Sequence, residues 1–162
     1  MMRGHRLNWS KENASLEYCI KKHLPDYDVE YDRNEQFYTP IKIRAKNDRK
    51  IIFTMDSGHL NTVFTRSKDI VYIAEFSYAA TGCSVVAIDL KSRKPVWKTQ
   101  LEGIGPTDHT EYVNLVNIET DGKRIVVNGN EGNGRYVEVL DIKTGKTLAN
   151  KKLEPDIESL TR

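Results

Sequence analysis

The residues best suited to chemistry in this sequence are two histidines and two aspartates in similar short contexts, Asp56-Ser-Gly-His59 and Thr107-Asp108-His109. His59 and His109 stand 50 positions apart. Two imidazoles and two carboxylates can bind a divalent cation or carry an acid–base step. The alternative is a structural role, in which the same groups make loop and cap hydrogen bonds. Spacing between distant segments does not set a distance, and there is no close ligand pair such as two histidines on one turn. Ser57 and His59 are too close in sequence to argue for a dyad, and neither a Gly-x-Ser-x-Gly elbow nor a cysteine pair at zinc spacing is present.

A second set of candidates lies in two glycine-bearing stretches at residues 77–83 and 129–135. They contain Thr81 and Gly82 in the first, and Glu131, Gly132, Asn133 and Gly134 in the second. Backbone N–H groups at such glycines can cradle an anion. The phosphate-binding fingerprint, however, needs a strand followed by a helix, and here a strand follows. These stretches read as hairpin loops and as the surface most suited to a partner, because binding residues gather on loops of rigid scaffolds.

The elements that must position these residues are strands, and they repeat. Ser84-Val-Val-Ala-Ile-Asp89 and Tyr136-Val-Glu-Val-Leu-Asp141 each lead into a turn and a further apolar run. Asp89 and Asp141 open the turns 52 positions apart, where a carboxylate can accept from backbone N–H groups ahead of it. Thr144-Gly145 supplies a hydroxyl and a residue free to take positive φ; Ser92-Arg93 stands in the other copy, so that turn is expected to be strained or of another type. Apolar runs at residues 62–65 and 70–74 precede the first hairpin, and runs at 112–116 and 124–128 precede the second. Each repeat therefore spells four short strands in series, a four-stranded antiparallel meander like a propeller blade.

Ala87-x-Asp89-x-x-Ser92, with Trp97 following, resembles the quinoprotein-type (pyrroloquinoline-quinone-like) β-propeller repeat, and Asp141-x-x-Thr144-Gly145 keeps its turn while Ala149 replaces the tryptophan. The resemblance covers about residues 58–153. It implies blades of a propeller-like fold, and rings in the family use about seven or eight of them. Two recognisable blades do not make a quinone-binding ring, so no cofactor is carried over. Trp97 is expected to anchor neighbouring sheets. A buried indole hides ~150–250 Å², which at ~25 cal/mol/Å² amounts to at most about 4–6 kcal/mol.

The 162 residues suffice for one domain with a core. The formal net charge of +2 comes from interspersed signs, and no aromatic-bearing basic stripe suggests nucleic acid. No apolar run reaches about 18 residues, so no membrane-spanning helix is expected. The polar start, Met1-Met-Arg-Gly-His-Arg6, lacks an apolar signal core, and the resemblance leaves a secreted or periplasmic location open. Cys19 and Cys83 read as free, partly buried thiols, with one disulfide as the alternative.

Residues 1–57 are expected to form an arm, a helix and a leading β-hairpin packed on the repeats at 58–105 and 106–153; 154–162 read as a polar tail. Leu16, Cys19, Ile20, His23 and Leu24 form one apolar stripe on a helix over about 11–24, capped by Ser10 or Asn13 and stopped by Pro25. His23 is expected to be a packed, hydrogen-bonded histidine on the edge of that stripe. Residues 26–36, acidic and tyrosine-rich, read as an irregular connector. Pro40 marks residues 37–43 as an edge strand, and residues 50–55 as the strand after it. Because so few repeats leave open faces, a helix, a hairpin or a second chain is expected to cover them.

The fold class is thus mainly β, with antiparallel meanders resembling propeller blades and one N-terminal amphipathic helix. A non-enzymatic binding or protein-interaction module is the first functional expectation. Its partner would be an unidentified protein, a small ligand or a second copy. The alternatives are a metal-dependent or acid–base enzyme using His59, His109, Asp56 and Asp108, and a structural piece of a larger propeller-like assembly. A divalent metal belongs only to the enzyme alternative.

Overall fold

The computed structural model describes residues 16–33, 37–55, 58–59, 62–77, 82–104, 113–131 and 134–153. The chain is mainly β, with three antiparallel sheets and one short helix among the described residues. Helix α1 spans Leu16–His23. Sheet I holds β1 (Tyr27–Arg33), β2 (Phe37–Ala45) and β3 (Ile51–Met55), with β4 (Gly58–His59) also paired to β2. Sheet II is the meander β5 (Val63–Ser67), β6 (Ile70–Ser77), β7 (Gly82–Asp89) and β8 (Lys94–Gln100). Sheet III repeats it with β9 (Val113–Thr120), β10 (Arg124–Glu131), β11 (Gly134–Asp141) and β12 (Thr147–Leu153).

The repeat extends to single residues. The β7–β8 register shifts between Ala87 and Ile88, and the β11–β12 register between Val139 and Leu140. Each turn closes through an N–H four residues on, Arg93 N to Asp89 O and Gly145 N to Asp141 O, both 2.8 Å. Asp89 Oδ1 accepts from Lys91 N at 2.9 Å, and Asp141 Oδ2 from Thr144 N at 2.9 Å. Arg93 does not change the turn type. It takes the left-handed backbone, φ 61°, where Gly145 has φ 75°. That conformation costs a non-glycine residue about 1 kcal/mol, and an ion pair from Arg93 to Asp48 in sheet I, 2.8 Å, holds the side chain in place.

Sheet I is a third copy. Arg49 has φ 62°, its N–H donates to Ala45 O at 3.1 Å, and the β2–β3 register shifts between Ile43 and Arg44. Phe53 faces Ile43 as Trp97 faces Ala87 and Ala149 faces Val139.

Two expectations about this region need correction. Residues 27–33 are a strand, not an irregular connector. Tyr27, Val29 and Tyr31 pack against the core while Asp28 and Glu30 point away, to ion pairs with Arg49 and Arg44. The period of two outweighs the poor strand propensity of the acids. Strand β2 is central, not an edge, being paired to β1 on one side and to β3 and β4 on the other. Pro40 is tolerated because the β1 ladder shifts register between Glu30 and Asp32, and on the other side β3 pairing ends at Ile41 while β4 pairing starts at Tyr38. A missing donor costs nothing where no ladder bond is made.

Ile41, Ile43 and Phe53 of sheet I meet Phe64 and Ile73 of sheet II beneath Leu16 of α1. Sheets II and III lock through β8. The Trp97 indole N–H donates to Ile142 O at 3.1 Å, and Thr99 Oγ1 donates to Gly145 O at 2.6 Å. Helix α1 covers the free edge of β5, where Phe64 N–H donates to Cys19 Sγ at 3.5 Å. Cys19 and Cys83 are both free and buried, so the disulfide alternative does not hold. Among the described residues no helix is long and apolar enough to cross a membrane.

Candidate functional site

Strands β5 and β9 are the edges of their sheets, and they lie against each other across the seam between sheets II and III. With α1 covering β5, the three elements leave a cleft of about 330 Å³. It is lined by Tyr18, Cys19, Lys22 and His23 of α1, residues 64–66 of β5 and residues 117–120 of β9. The α1 wall follows from local sequence. The i, i+3, i+4 stripe turns Cys19 inward and sets Lys22 at the rim. The two strand edges present their backbone because no further strand is paired there.

Burial pushes the Cys19 thiol up to about 11, which keeps it protonated and a poor nucleophile. Burial first, and then the cations Lys22 and Arg66, pull His23 down to about 4. The ring also leans on Phe64, with centroids 6.3 Å apart. Arg66 is held rigidly, donating to Lys68 O at 2.6 Å, His23 O at 3.1 Å and Asp26 Oδ1 at 2.8 Å. The Lys22 ammonium is exposed and lies 5.6 Å from the Tyr18 ring centroid. Thr65 and Asn117 bring buried polar side chains to the floor.

His23 gives the fold a pH signature. Its unfolded value is near 6.5 and its folded value near 4, so between them the unfolded chain holds more protons. Stability therefore falls as pH drops through that window. Urea unfolding is expected to lose about 1–2 kcal/mol between pH 6.5 and 4, reduced by solvent screening of a half-buried ring. His23→Gln should flatten the slope; an unchanged slope would place its origin elsewhere. Asp26, held low by its hydrogen bond from Arg66, adds its own loss of stability at the acid edge of this window and below it.

No protein-family model matches the chain, and no curated protein matches it. The site is therefore described by its own geometry. Of the residues singled out from sequence, Asp56, Asp108, His109, Thr81, Gly132 and Asn133 lie outside the described residues. The His59 backbone pairs with Phe37 where β2 begins. Gly82 pairs with Ser77, and Glu131 with Gly134, at the β6–β7 and β10–β11 hairpin ends. These positions stand at the end of the sheets where β5 and β9 start, whereas Arg66 and Thr120 lie where those strands finish. Among the described residues no group of three or more His, Cys, Asp or Glu could hold a metal ion.

Sequence reasoning passed over two features. Lys22 and Arg66 look like ordinary surface cations, since nothing local shows that one helix and two strand edges converge. Glu138 did leave a signal, a carboxylate between Tyr136 and Leu140 on the apolar face of β11. It is fully buried and accepts from Glu102 N at 2.9 Å, Gly103 N at 2.8 Å and Thr147 Oγ1 at 2.8 Å. It thereby clamps the link between sheets II and III. Ile104, in that link, sits over Gly129, where a Cβ would come within 2.8 Å of it.

Proposed function

We propose that this chain is a non-enzymatic binding module built on propeller-like β repeats, and that its ligand seat is the cleft between α1, β5 and β9. The observation that carries this reading is a concave volume of about 330 Å³ walled by three elements, with charged, hydroxyl and amide side chains at its surface. Ligand sites range over ~300–1,000 Å³ and combine a shaped cavity with a few placed polar groups. The strands that form two walls are fixed by sheet pairing and by the Trp97 interlock, so the seat is preorganised. The same interlock, in which an indole lies over the glycine of the next turn, supports the likeness to quinoprotein-type repeats.

Amide chemical-shift mapping tests the seat. ¹⁵N-labelled protein is titrated with acetate, inorganic phosphate, methylammonium and glycerol. Saturable shifts are expected at Thr65, Arg66 and residues 117–120. Shifts confined to the surroundings of Gly82 and Gly134 would move the site to the opposite hairpin ends, and no saturable shift anywhere would count against a small-ligand seat.

A further inference from the structure

Resting on that reading of the cleft, we infer that the ligand it takes is a small carboxylate, either free or at the end of a peptide chain, with Lys22 as its direct contact. Two of the charged lining side chains are cations, Lys22 and Arg66, and one is an anion, Glu119. They are not mixed. The cations line the α1 and β5 walls, and Glu119 belongs to β9. A ligand entering the cleft therefore meets Lys22 on the α1 flank, while the charge of Arg66 is offset by its ion pair with Asp26.

The two cations differ in what they can offer. Arg66 already donates to two main-chain oxygens and to the Asp26 carboxylate, so it is fixed in place and its charge is already paired. Lys22 is exposed, and its ammonium rests over the Tyr18 ring, a weak contact at an exposed site. A carboxylate can draw it away, because a charge-assisted hydrogen bond is stronger. A neutral partner for the second carboxylate oxygen is at hand in the Thr65 hydroxyl, at a buried position in the lining. The volume of about 330 Å³ admits a few-carbon acid or a terminal residue and excludes an extended chain.

His23 reports occupancy. It faces Lys22 on its own helix and Arg66 from β5, with Cys19 protonated beside it and Glu119 across the cleft. A bound anion offsets the two cations, so the midpoint of the His23 titration should rise on binding.

The test uses the whole chain, with succinate, an amidated and a free-acid form of one short peptide, methylammonium and glycerol as probes. Succinate or the free-acid peptide should shift the amides of Lys22, Thr65 and Arg66 saturably and raise the His23 midpoint. Lys22→Gln should weaken binding about tenfold and Lys22→Arg should keep it. Tighter binding of the free-acid peptide would identify a chain terminus as the source, and tighter binding of succinate a free acid. If methylammonium or glycerol saturates the cleft and the carboxylates do not, the ligand class is wrong while the seat stands. Equal affinity in Lys22→Gln also overturns it. If no probe shifts the cleft amides, the seat itself fails.

Discussion

Trp97→Ala is expected to lower the free energy of unfolding by about 3–5 kcal/mol, read from urea denaturation. The indole joins the outer strand of sheet II to the β11–β12 turn of sheet III. Its ring packs 5.8 Å from Tyr72 within sheet II, its N–H donates to Ile142 O in sheet III, and its face lies on Gly145. Alanine removes the packed surface and leaves the Ile142 carbonyl unpaired at once. The contact can be tested from the other side. A Cβ on Gly145 would fall inside contact distance of the Trp97 ring, at a residue whose φ of 75° already disfavours a side chain. Gly145→Ala should therefore destabilise by about 2–4 kcal/mol. In the double variant the steric part should vanish, leaving a coupling of about 1 kcal/mol or more. Strict additivity, or a Trp97→Ala loss below about 1 kcal/mol, would show that the sheets are held by something else.

Glu138→Ala is expected to cost about 3–5 kcal/mol, and Glu138→Gln about 2–3 kcal/mol. A buried carboxylate is tolerated only when its oxygens are satisfied, and here two main-chain N–H groups and one hydroxyl do so. Removing the acceptor leaves those part-buried donors without their partner and a cavity where the buried side chain stood. Glutamine keeps the volume and one oxygen, but it turns an amide N–H₂ toward donors. Hydrogen exchange separates this role from general destabilisation: the Glu102 and Gly103 amides should lose protection before the sheet amides do. Protection unchanged at those two positions in Glu138→Gln would mean the clamp is not what orders the link.

Much of the fold was legible because its signals are local. The β7–β8 and β11–β12 hairpins follow from alternating apolar residues and from Asp89 and Asp141 at the head of each turn. The third copy was hidden because its turn lacks both signature residues. Ala45 stands where aspartate is found and Arg49 where glycine is, yet the backbone is the same, since the bulge and the flanking ladder impose it. Strand β1 was hidden for another reason. Its carboxylates look like loop composition, and only the arginines Arg44 and Arg49, brought close by pairing, make them acceptable in a strand.

The candidate site divides in the same way. Sequence alone determined the strands of the two meanders, where the two Asp-headed turns fall, and that α1 carries one apolar stripe, because each depends on residues within a few positions of one another. Tertiary structure alone decided that the edges of β5 and β9 meet beside Lys22 and that Glu138 reaches a link 35 and 36 residues before it in the chain. The physical reason is that edge position and sheet-to-sheet packing come from long-range burial, to which the identity of a surface lysine contributes almost nothing.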